Sequence, residues 1–453
     1  MAARRRELRR VVSGAAPAAA GADRPSRTRF AIMVLLFVSV TINYLDRSNL
    51  SIAAPAMRTA LGFDTAQMGY VLSAFGWTYA LFQIPGGWLV DRVAPRVLFA
   101  VLVIGWSIAT IMLGFTTSVA GLMAVRMLVG ALEAPSYPIN NRVVTTWFPE
   151  RERATAIGFY TSGQFVGIAF LTPVLVWIQT RFGWPMVFVA TGAIGIVWGV
   201  VWYALYRQPH EFPGTTASEI ELIRRGGGLV DLDRRQAAKR PFSGADLAHV
   251  LSSRKLWGVY FGQFALTSTL WFFLTWFPTY LVQARGMSFV KAGFLASVPF
   301  LAAFVGVLCS GVLSDAMVRR GASLGTARKV PIVAGLLLST SIIGANYVDE
   351  PALIIACLTV AFFGNGLASI TWSLVSAIAP ERLLGLTGGV FNFVGNLSGI
   401  TVPIVIGYLA RDYGFSAGLT YIAVLALLGA LSYVFVVGPV ERLPDRATVP
   451  SSG

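Results

Sequence analysis

Four ionisable side chains lie inside long apolar runs of this chain: Asp46, Arg47, Arg126 and Glu133. A charge at the centre of a bilayer costs at least about 2.5–3.5 kcal/mol, so such groups must pair with each other or face water. On a helix, residues three or four apart share a face, whereas adjacent residues point about 100° apart. Asp46 and Arg47 therefore face different directions, while Arg126 and Glu133 lie two turns apart on one face.

The economical arrangement turns Arg47 and Tyr44 toward a central cavity, and Asp46 toward the face that carries Arg126 and Glu133. This arrangement predicts a buried cluster of two acids and one arginine. Arg126 does not deprotonate in proteins, so it holds one carboxylate charged, while the second acid is able to take up and release a proton. The alternative is a static ion network that fixes the packing of the helices.

Arg47 is predicted to meet no acid in the cavity. A guanidinium in that setting is suited to binding a carboxylate through two parallel hydrogen bonds. The alternative is that Arg47 pairs with Asp46 through a bent side chain. If Arg47 binds the substrate, the substrate is an anion.

Neutral polar side chains interrupt several other apolar runs. Their amide and hydroxyl groups donate and accept hydrogen bonds, which suits a polyhydroxylated ligand. The alternative is that such side chains join two helices by a hydrogen bond, and that Trp372 is a packing aromatic; Gln164 and Asn392 are the favoured functional residues. The polar side chains include Tyr79, Gln164, Ser369, Trp372, Asn392 and Asn396.

Twelve apolar runs, each long enough to cross a bilayer as a helix, carry these side chains. Of the 453 residues, 55% are hydrophobic and 13% are charged, which is too little charge to cover a soluble protein of this size. The composition therefore predicts an all-α membrane protein with twelve transmembrane helices and excludes a cytosolic enzyme. The predicted spans are 29–54, 67–90, 95–115, 118–147, 154–180, 184–206, 255–283, 290–317, 328–347, 351–379, 385–410 and 415–437.

Basic residues are distributed unevenly between the two sides of this predicted bundle. Of the 36 Lys and Arg residues, 29 lie in the tails and even-numbered connections, five lie on the opposite side and two lie inside spans. Because Lys and Arg accumulate on the cytoplasmic side, both termini and the central loop are predicted to be cytoplasmic. Topology thus accounts for the net charge of +15 without a nucleic-acid partner.

Two short motifs recur at equivalent places in the two sets of six spans. Gly-Trp-Leu-Val-Asp ends span 2 at 87–91, and Gly-Val-Leu-Ser-Asp ends span 8 at 311–315. Pro-Glu-Arg follows span 4 at 149–151 and span 10 at 380–382. The repeats predict two pseudo-symmetric six-helix halves, the architecture of secondary transporters. The predicted parts are a disordered tail 1–28, a first half 29–206, a cytoplasmic linker 207–254, a second half 255–437 and a tail 438–453.

The segment 87–96, Gly-Trp-Leu-Val-Asp-Arg-Val-Ala-Pro-Arg, resembles the conserved loop motif of the major facilitator superfamily. The segments 43–47, 126–135 and 386–396 resemble its anion:cation symporter branch, and are most similar to bacterial sugar-acid:proton symporters for galactonate, glucarate and hexuronates. The resemblance implies the major facilitator fold in the cell inner membrane. It also implies proton-coupled uptake of a small hydroxylated organic anion by alternating access.

The same resemblance implies roles for individual residues of the spans. Asp46 and Glu133 are the implied proton-coupling acids, with Arg126 beside them. The implied substrate-binding positions are Tyr44, Arg47, Tyr79, Gln164, Ser369, Trp372 and Asn392. Asn396 lies one turn beyond Asn392 and joins this set.

A cytoplasmic latch is implied between Asp91 and Arg92 of the loop motif and Arg142 at the basic end of span 4. The sequence has no phosphate-binding loop and no metal-ligand spacing, so it predicts no cofactor and no metal. The resemblance implies a monomer that works in contact with membrane lipids and is driven by the proton gradient. The alternatives are a symporter of another carboxylate (tartrate, a phthalate-like aromatic acid or a dicarboxylate), an organic-anion exporter, and a transporter-like sensor.

Overall fold

The structure is a computed structural model that describes residues 25–90, 92–231, 244–380 and 383–444. Within these ranges, ten helices are long and apolar enough to cross a membrane. Two further spans complete the twelve: span 2, whose helix is interrupted at Phe82, and span 7, whose helix carries several polar side chains. The prediction of an all-α membrane protein with twelve spans is confirmed.

The first six spans begin and end close to their predicted limits. Their helices are Thr28–Leu61, Thr65–Leu81 with Gln83–Val90, Pro95–Leu113, Val119–Glu133 with Ser136–Trp147, Glu150–Phe182, and Trp184–Leu205. Span 1 differs most, because its helix continues through Pro55 instead of ending at residue 54. Gly62 then reverses the chain with a φ of 69°. Asp64 caps span 2 by accepting a 2.7 Å hydrogen bond from the backbone N–H of Gln67.

The second six spans repeat the packing of the first six. Their helices are Arg254–Thr275 with Phe277–Thr279 and Tyr280–Ala284, Phe289–Arg319, Leu324–Ser339 with Thr340–Asn346, Pro351–Leu367 with Ala368–Ile370 and Thr371–Ile378, Leu384–Asn396 with Ser398–Asp412, and Phe415–Leu431 with Ser432–Val436. Span 1 packs on span 5, span 2 on span 4 and span 3 on span 6, and these pairs recur as 7 on 11, 8 on 10 and 9 on 12. The molecule therefore consists of two pseudo-symmetric halves.

The halves contact each other chiefly through span 2 with span 11 and span 5 with span 8. Glycines permit the first of these contacts, because a Cβ at Gly69 would lie 2.7 Å from the Pro403 carbonyl oxygen. A Cβ at Gly76 would lie 2.9 Å from the backbone of Gly399. The Gly69 contact lies near the 1–2 and 11–12 connections, at what we call the closed end, and the Gly76 contact lies near the middle of both spans.

Two hydrogen bonds between polar side chains join the halves at the closed end. The hydroxyls of Tyr70 and Tyr408 lie 2.8 Å apart, and Arg58 donates a hydrogen bond to Gln283. The first joins span 2 to span 11 and the second joins span 1 to span 7. Both must break if the halves separate at this end.

The first part of the linker is bound to the first half by buried charge. Its helix Ala217–Arg225 carries Glu219, whose Oε1 lies 2.9 Å from Arg29 Nη1 at the start of span 1. Arg29 also pairs with Glu152 at the start of span 5, at 2.8 Å, and Ser26 donates a hydrogen bond to Glu219. Burial opposes ionisation of Glu219, but the hydrogen bonds from Ser26 and Arg29 outweigh it and lower the pKa of this carboxyl. We call these four residues the Arg29 cluster.

The last part of the linker is bound to the second half by apolar and exposed contacts. Its helix Gly244–Ser252 buries Val250 against the core of that half. Its His249 Nε2 lies 3.2 Å from the backbone oxygen of Pro444 in the C-terminal segment, where Glu441 forms an exposed 3.4 Å ion pair with Lys255 at the start of span 7. Residues 232–243 of the linker, and most of the predicted tails 1–28 and 438–453, lie outside the described residues.

Candidate functional site

The buried charges meet between spans 1 and 4. Arg47 Nε donates a 2.7 Å hydrogen bond to Glu133 Oε1, and Glu133 has no exposed surface. The adjacent Asp46 points in another direction, and its Oδ2 accepts a 2.9 Å hydrogen bond from Trp106 Nε1 in span 3. The predicted divergence of Asp46 and Arg47 is present, and two buried acids have different partners.

Two expectations about this cluster are wrong. Arg47 does face an acid, because its long side chain reaches Glu133 on span 4 rather than Asp46. Arg126 forms no ion pair with either acid in the part of the chain that the structure describes, and its Nε and Nη1 are buried without a hydrogen-bond partner. Its guanidinium lies instead 5.1 Å from the centre of the Phe75 ring.

Aromatic rings enclose the guanidinium of Arg47. Its central carbon lies 4.8 Å from the ring centre of Tyr44, 5.1 Å from that of Phe75 and 4.6 Å from that of Tyr79. Rings of this kind favour a planar, weakly hydrated guanidinium over an ammonium group. The structure therefore brings together three of the predicted substrate residues, Tyr44, Arg47 and Tyr79, in what we call the aromatic cage.

Three other predicted substrate residues lie in spans 5 and 10. Gln164 is half-buried in span 5. Ser369 is half-buried in the short turn that interrupts the helix of span 10. Trp372 lies in the first turn of the next helix and packs edge-on against Phe391 of span 11, with ring centres 4.9 Å apart. The α-helix of span 10 is therefore interrupted close to Ser369 and Trp372.

The two predicted asparagines lie at the break of span 11. Asn396 Nδ2 donates a 2.9 Å hydrogen bond to the backbone oxygen of Asn392, so the Asn396 side chain stabilises the end of its own helix. Trp271 of span 7 contacts Phe75, with ring centres 6.2 Å apart, and so joins the aromatic cage to the second half. None of the described contacts links these asparagines directly to Arg47.

The predicted latch is described only in part. Asp91 lies outside the described residues, and Arg92 lies in the loop that follows it. Arg142 Nη1 donates a 3.4 Å hydrogen bond to the backbone oxygen of Val93. The end of span 4 therefore contacts the loop after span 2.

Sequence reasoning missed several neighbours of the charges. Tyr137 lies four residues after Glu133, and its hydroxyl is 3.5 Å from that of Tyr44, so helical spacing was a usable signal for it. Phe75 and Trp106 come from spans 2 and 3, and the sequence around them is apolar like many other stretches. Nothing in those stretches distinguishes a residue that contacts a charge from one that packs.

A duplicated bundle of twelve spans with a buried charge cluster inside one half defines a membrane transporter and not an enzyme. The model of the Major Facilitator Superfamily matches residues 36–403, and the chain belongs to this family. The protein is 55% identical over 424 residues to a D-galactonate transporter of Escherichia coli, covering 93% of this chain and 98% of that protein. It is 42% identical over 434 residues to a probable galactarate/D-glucarate transporter of Bacillus subtilis, covering 93% and 94%.

A solved structure supports the fold alone. The crystal structure of a bacterial homologue of the human lysosomal transporter Spinster, in an inward-facing and occupied conformation, has a TM-score of 0.71 with this chain. The two share 19% sequence identity, and the match covers 91% of this chain and 97% of the other. The family, the spans and the packing of the halves thus agree on a multi-pass membrane transporter.

Proposed function

We propose that this chain carries a small hydroxylated organic acid, such as galactonate, glucarate or a hexuronate, into the cell together with protons. The names of its relatives, a D-galactonate transporter and a probable galactarate/D-glucarate transporter, support the substrate class. The observation that carries the proposal is the 2.7 Å ion pair between Arg47 and Glu133. Because Glu133, the counter-ion of Arg47, is able to bind a proton, protonation of Glu133 and binding of a substrate anion to Arg47 are coupled.

The coupling follows from competition for the guanidinium of Arg47. While Glu133 is ionised, it occupies Arg47, and a substrate carboxylate meets a cation that is already neutralised. When Glu133 binds a proton, its charge-assisted hydrogen bond weakens, and Arg47 is free to form a bidentate pair with the substrate. Asp46 is the second proton site, and Arg126 offsets the negative charge of the two acids.

The neutral polar residues bind the carbon chain of the substrate. Their amides and hydroxyls match a ligand that carries a hydroxyl on almost every carbon, and they lie on spans of both halves, so that movement of the halves opens and closes the site. Asp91, Arg92 and Arg142 hold the cytoplasmic ends of spans 2 to 4 together. The residues assigned to the carbon chain are Tyr44, Tyr79, Gln164, Ser369, Trp372, Asn392 and Asn396.

We place both termini and the linker in the cytoplasm and the spans in the inner membrane, because basic residues concentrate on that side. In this orientation the closed end faces outward, which is consistent with an inward-facing state. The chain acts as a monomer in contact with membrane lipids and without nucleic acid. The proton gradient is the driving force, and no cofactor or metal ion takes part.

Uptake into proteoliposomes tests this function directly. Radiolabelled galactonate, glucarate, galactarate, a hexuronate, tartrate and phthalate are supplied with and without an inward proton gradient. We expect one aldonate or aldarate to accumulate above its external concentration only with the gradient, and a protonophore to abolish the accumulation. Equal uptake with and without the gradient would contradict proton coupling, and accumulation of tartrate or phthalate alone would contradict the substrate class.

A further inference from the structure

A row of buried polar atoms follows one face of span 4. Glu133 Oε2, Ser136 Oγ, both amide atoms of Asn140 and the indole N–H of Trp147 are buried and have no hydrogen-bond partner. Successive spacings of three, four and seven residues keep these side chains on one face of a helix. The polar positions run from the acid cluster to Asn140, and the buried Val143 and Val144 lie between Asn140 and Trp147, the last residue of the span 4 helix.

Span 1 adds a side chain to this row. Asn43 precedes Asp46 by three residues and Arg47 by four, and its amide lies close to Glu133. Both of its polar atoms are buried without a partner. Buried polar groups in proteins are almost always hydrogen-bonded, and those that lack a protein partner bind ordered water. An amide donates and accepts, so Asn43 and Asn140 are able to hold such water from two sides.

The helix of span 4 is interrupted next to the same acid, between Glu133 and Ser136. Pro135 and Pro138 have no N–H, so two carbonyl oxygens of the turn around Glu133 have no helical donor. Interrupted helices occur at membrane depth where they are buried in protein or line a hydrated cavity. The break therefore adds acceptors to the polar row at its inner end.

The acids are shielded from the cavity between the halves. Glu133 has no exposed surface and Asp46 is 1% exposed, and Arg47 with its aromatic cage covers the paired oxygen of Glu133. The charged and titratable groups that face Glu133 are Asp46, Arg47 and Tyr44 from span 1 and Arg126 from span 4. None of these groups leads toward the cytoplasmic end, whereas the polar row does.

We propose that protons leave Glu133 for the cytoplasm through the interior of the first half, along Asn43, Ser136 and Asn140 toward the Trp147 end of span 4, and not through the substrate cavity. This inference rests on the proposed proton coupling. The carboxylic acid of Glu133 gives its proton to a hydrogen-bonded water, each water along the row passes one proton on, and the carboxylate left behind pairs again with Arg47. Separate routes allow proton release and anion release to occur in either order.

The substitution Asn140→Leu tests the route at its middle, because it replaces the amide by an apolar group of similar size. We expect proton-driven galactonate uptake in proteoliposomes to fall about tenfold, the effect of one lost hydrogen-bonded link. Galactonate counterflow at equal pH is expected to remain close to wild type, because exchange of the loaded carrier requires no proton release. Asn140→Ser, which restores a donor and an acceptor, is expected to recover most of the driven uptake.

The matched control is Ile139→Leu, a volume-conserving change at the buried neighbour of Asn140 that leaves the polar row intact. It is expected to leave both assays unchanged. If Asn140→Leu lost driven uptake and counterflow equally, Asn140 would have a packing role. If it lost neither, the proton route would lie elsewhere. Either result overturns the inference. If galactonate uptake by the wild-type protein did not depend on the imposed proton gradient, the proposed function itself would be overturned. This measurement is therefore made before any variant is tested.

Discussion

The two halves of this transporter share one packing scheme but bury different side chains. The interior of the first half holds Asp46, Arg47, Arg126 and Glu133. Among the side chains that the structure describes, every buried polar residue of the second half is neutral: Gln263, Ser268, Thr269, Thr275, Thr279, Ser310, Ser339, Asn365, Thr371, Thr387, Ser398 and Ser432. The duplicated fold thus provides two similar helix bundles, and these four charged residues lie in the first of them.

The halves also differ in which buried side chains lack a hydrogen-bond partner, since those described in the second half, such as Thr269 and Tyr433, include no acid and no arginine. In the second half, Asn365 donates a 2.7 Å hydrogen bond to the backbone oxygen of Leu266, and Thr371 donates one of 2.9 Å to Gln263. In the first half, both acids and Arg126 keep buried atoms without a partner. Since unpaired buried groups are costly, their concentration around ionisable residues indicates a function rather than packing.

The strongest test of this contrast removes a titratable group from the first half. Glu133→Gln preserves the shape of the side chain but cannot release a proton, so we expect proton-driven accumulation to fall at least about 100-fold while counterflow persists. In the second half, Thr371→Val removes a buried hydrogen bond and is expected to lower driven uptake less than about tenfold. Both are measured in proteoliposomes. If Thr371→Val abolished coupling as completely as Glu133→Gln, the two halves would not differ in the way described.

The next test changes the shape of the cation while keeping its charge. Arg47→Lys loses the planar fork and its contact with the aromatic cage, so we expect the affinity for galactonate to fall about 30-fold. Equilibrium binding of the radiolabelled acid to purified protein measures this effect. The exposed Arg181 provides the control Arg181→Lys, for which no change is expected. Unchanged binding by Arg47→Lys would place the carboxylate site elsewhere.

The contrast between charged and neutral contacts extends to the linker. The pKa of Glu219 lies below its ordinary value of 4.5, so its stabilising contribution is complete above that value and is lost as the pH falls through the folded-state pKa. We expect Glu219→Gln to destabilise the protein by about 1–3 kcal/mol at pH 7 and to flatten the decline of the Tm below pH 4.5.

The second half supplies the control for this measurement. Glu441, whose side chain is 73% exposed in its pair with Lys255, is expected to contribute little, because exposed ion pairs are weak. Thermal unfolding in detergent across the acidic range compares Glu219→Gln with Glu441→Gln. Equal effects of the two substitutions would show that the Arg29 cluster does not fix the linker to the first half.

The smallest expected effect concerns the contact between the halves. Tyr70→Phe removes one exposed hydrogen bond to Tyr408, worth about 0.5–1.5 kcal/mol, and should make the closed end open several times more often. Labelling of Ser73→Cys by an impermeant thiol reagent, in a protein whose Cys309 and Cys357 are replaced, reports this opening. Tyr413→Phe, at the same end, is the control. Identical labelling of the two variants would exclude the tyrosine pair as part of the gate.

The spans were predictable from the sequence because each is a long apolar run, and the halves were predictable because two motifs recur. Span 1 ran past its predicted end because Pro55 is tolerated within its helix. Within the site, the divergence of Asp46 from Arg47 follows from helical geometry alone. The pairing of Arg47 with Glu133 does not, because it depends on the rotation and depth of span 4 relative to span 1, which no spacing within a single helix encodes.

The glycines between spans 2 and 11 have a consequence for the speed of transport. Gly69 and Gly76 meet the backbone of span 11 without side chains of their own. When the helices part at these positions, no rotamer has to change and no interlocked side chain has to withdraw. The activation barrier for opening is therefore set by the larger side chains around these points, and the two halves are free to move apart there as rigid bodies.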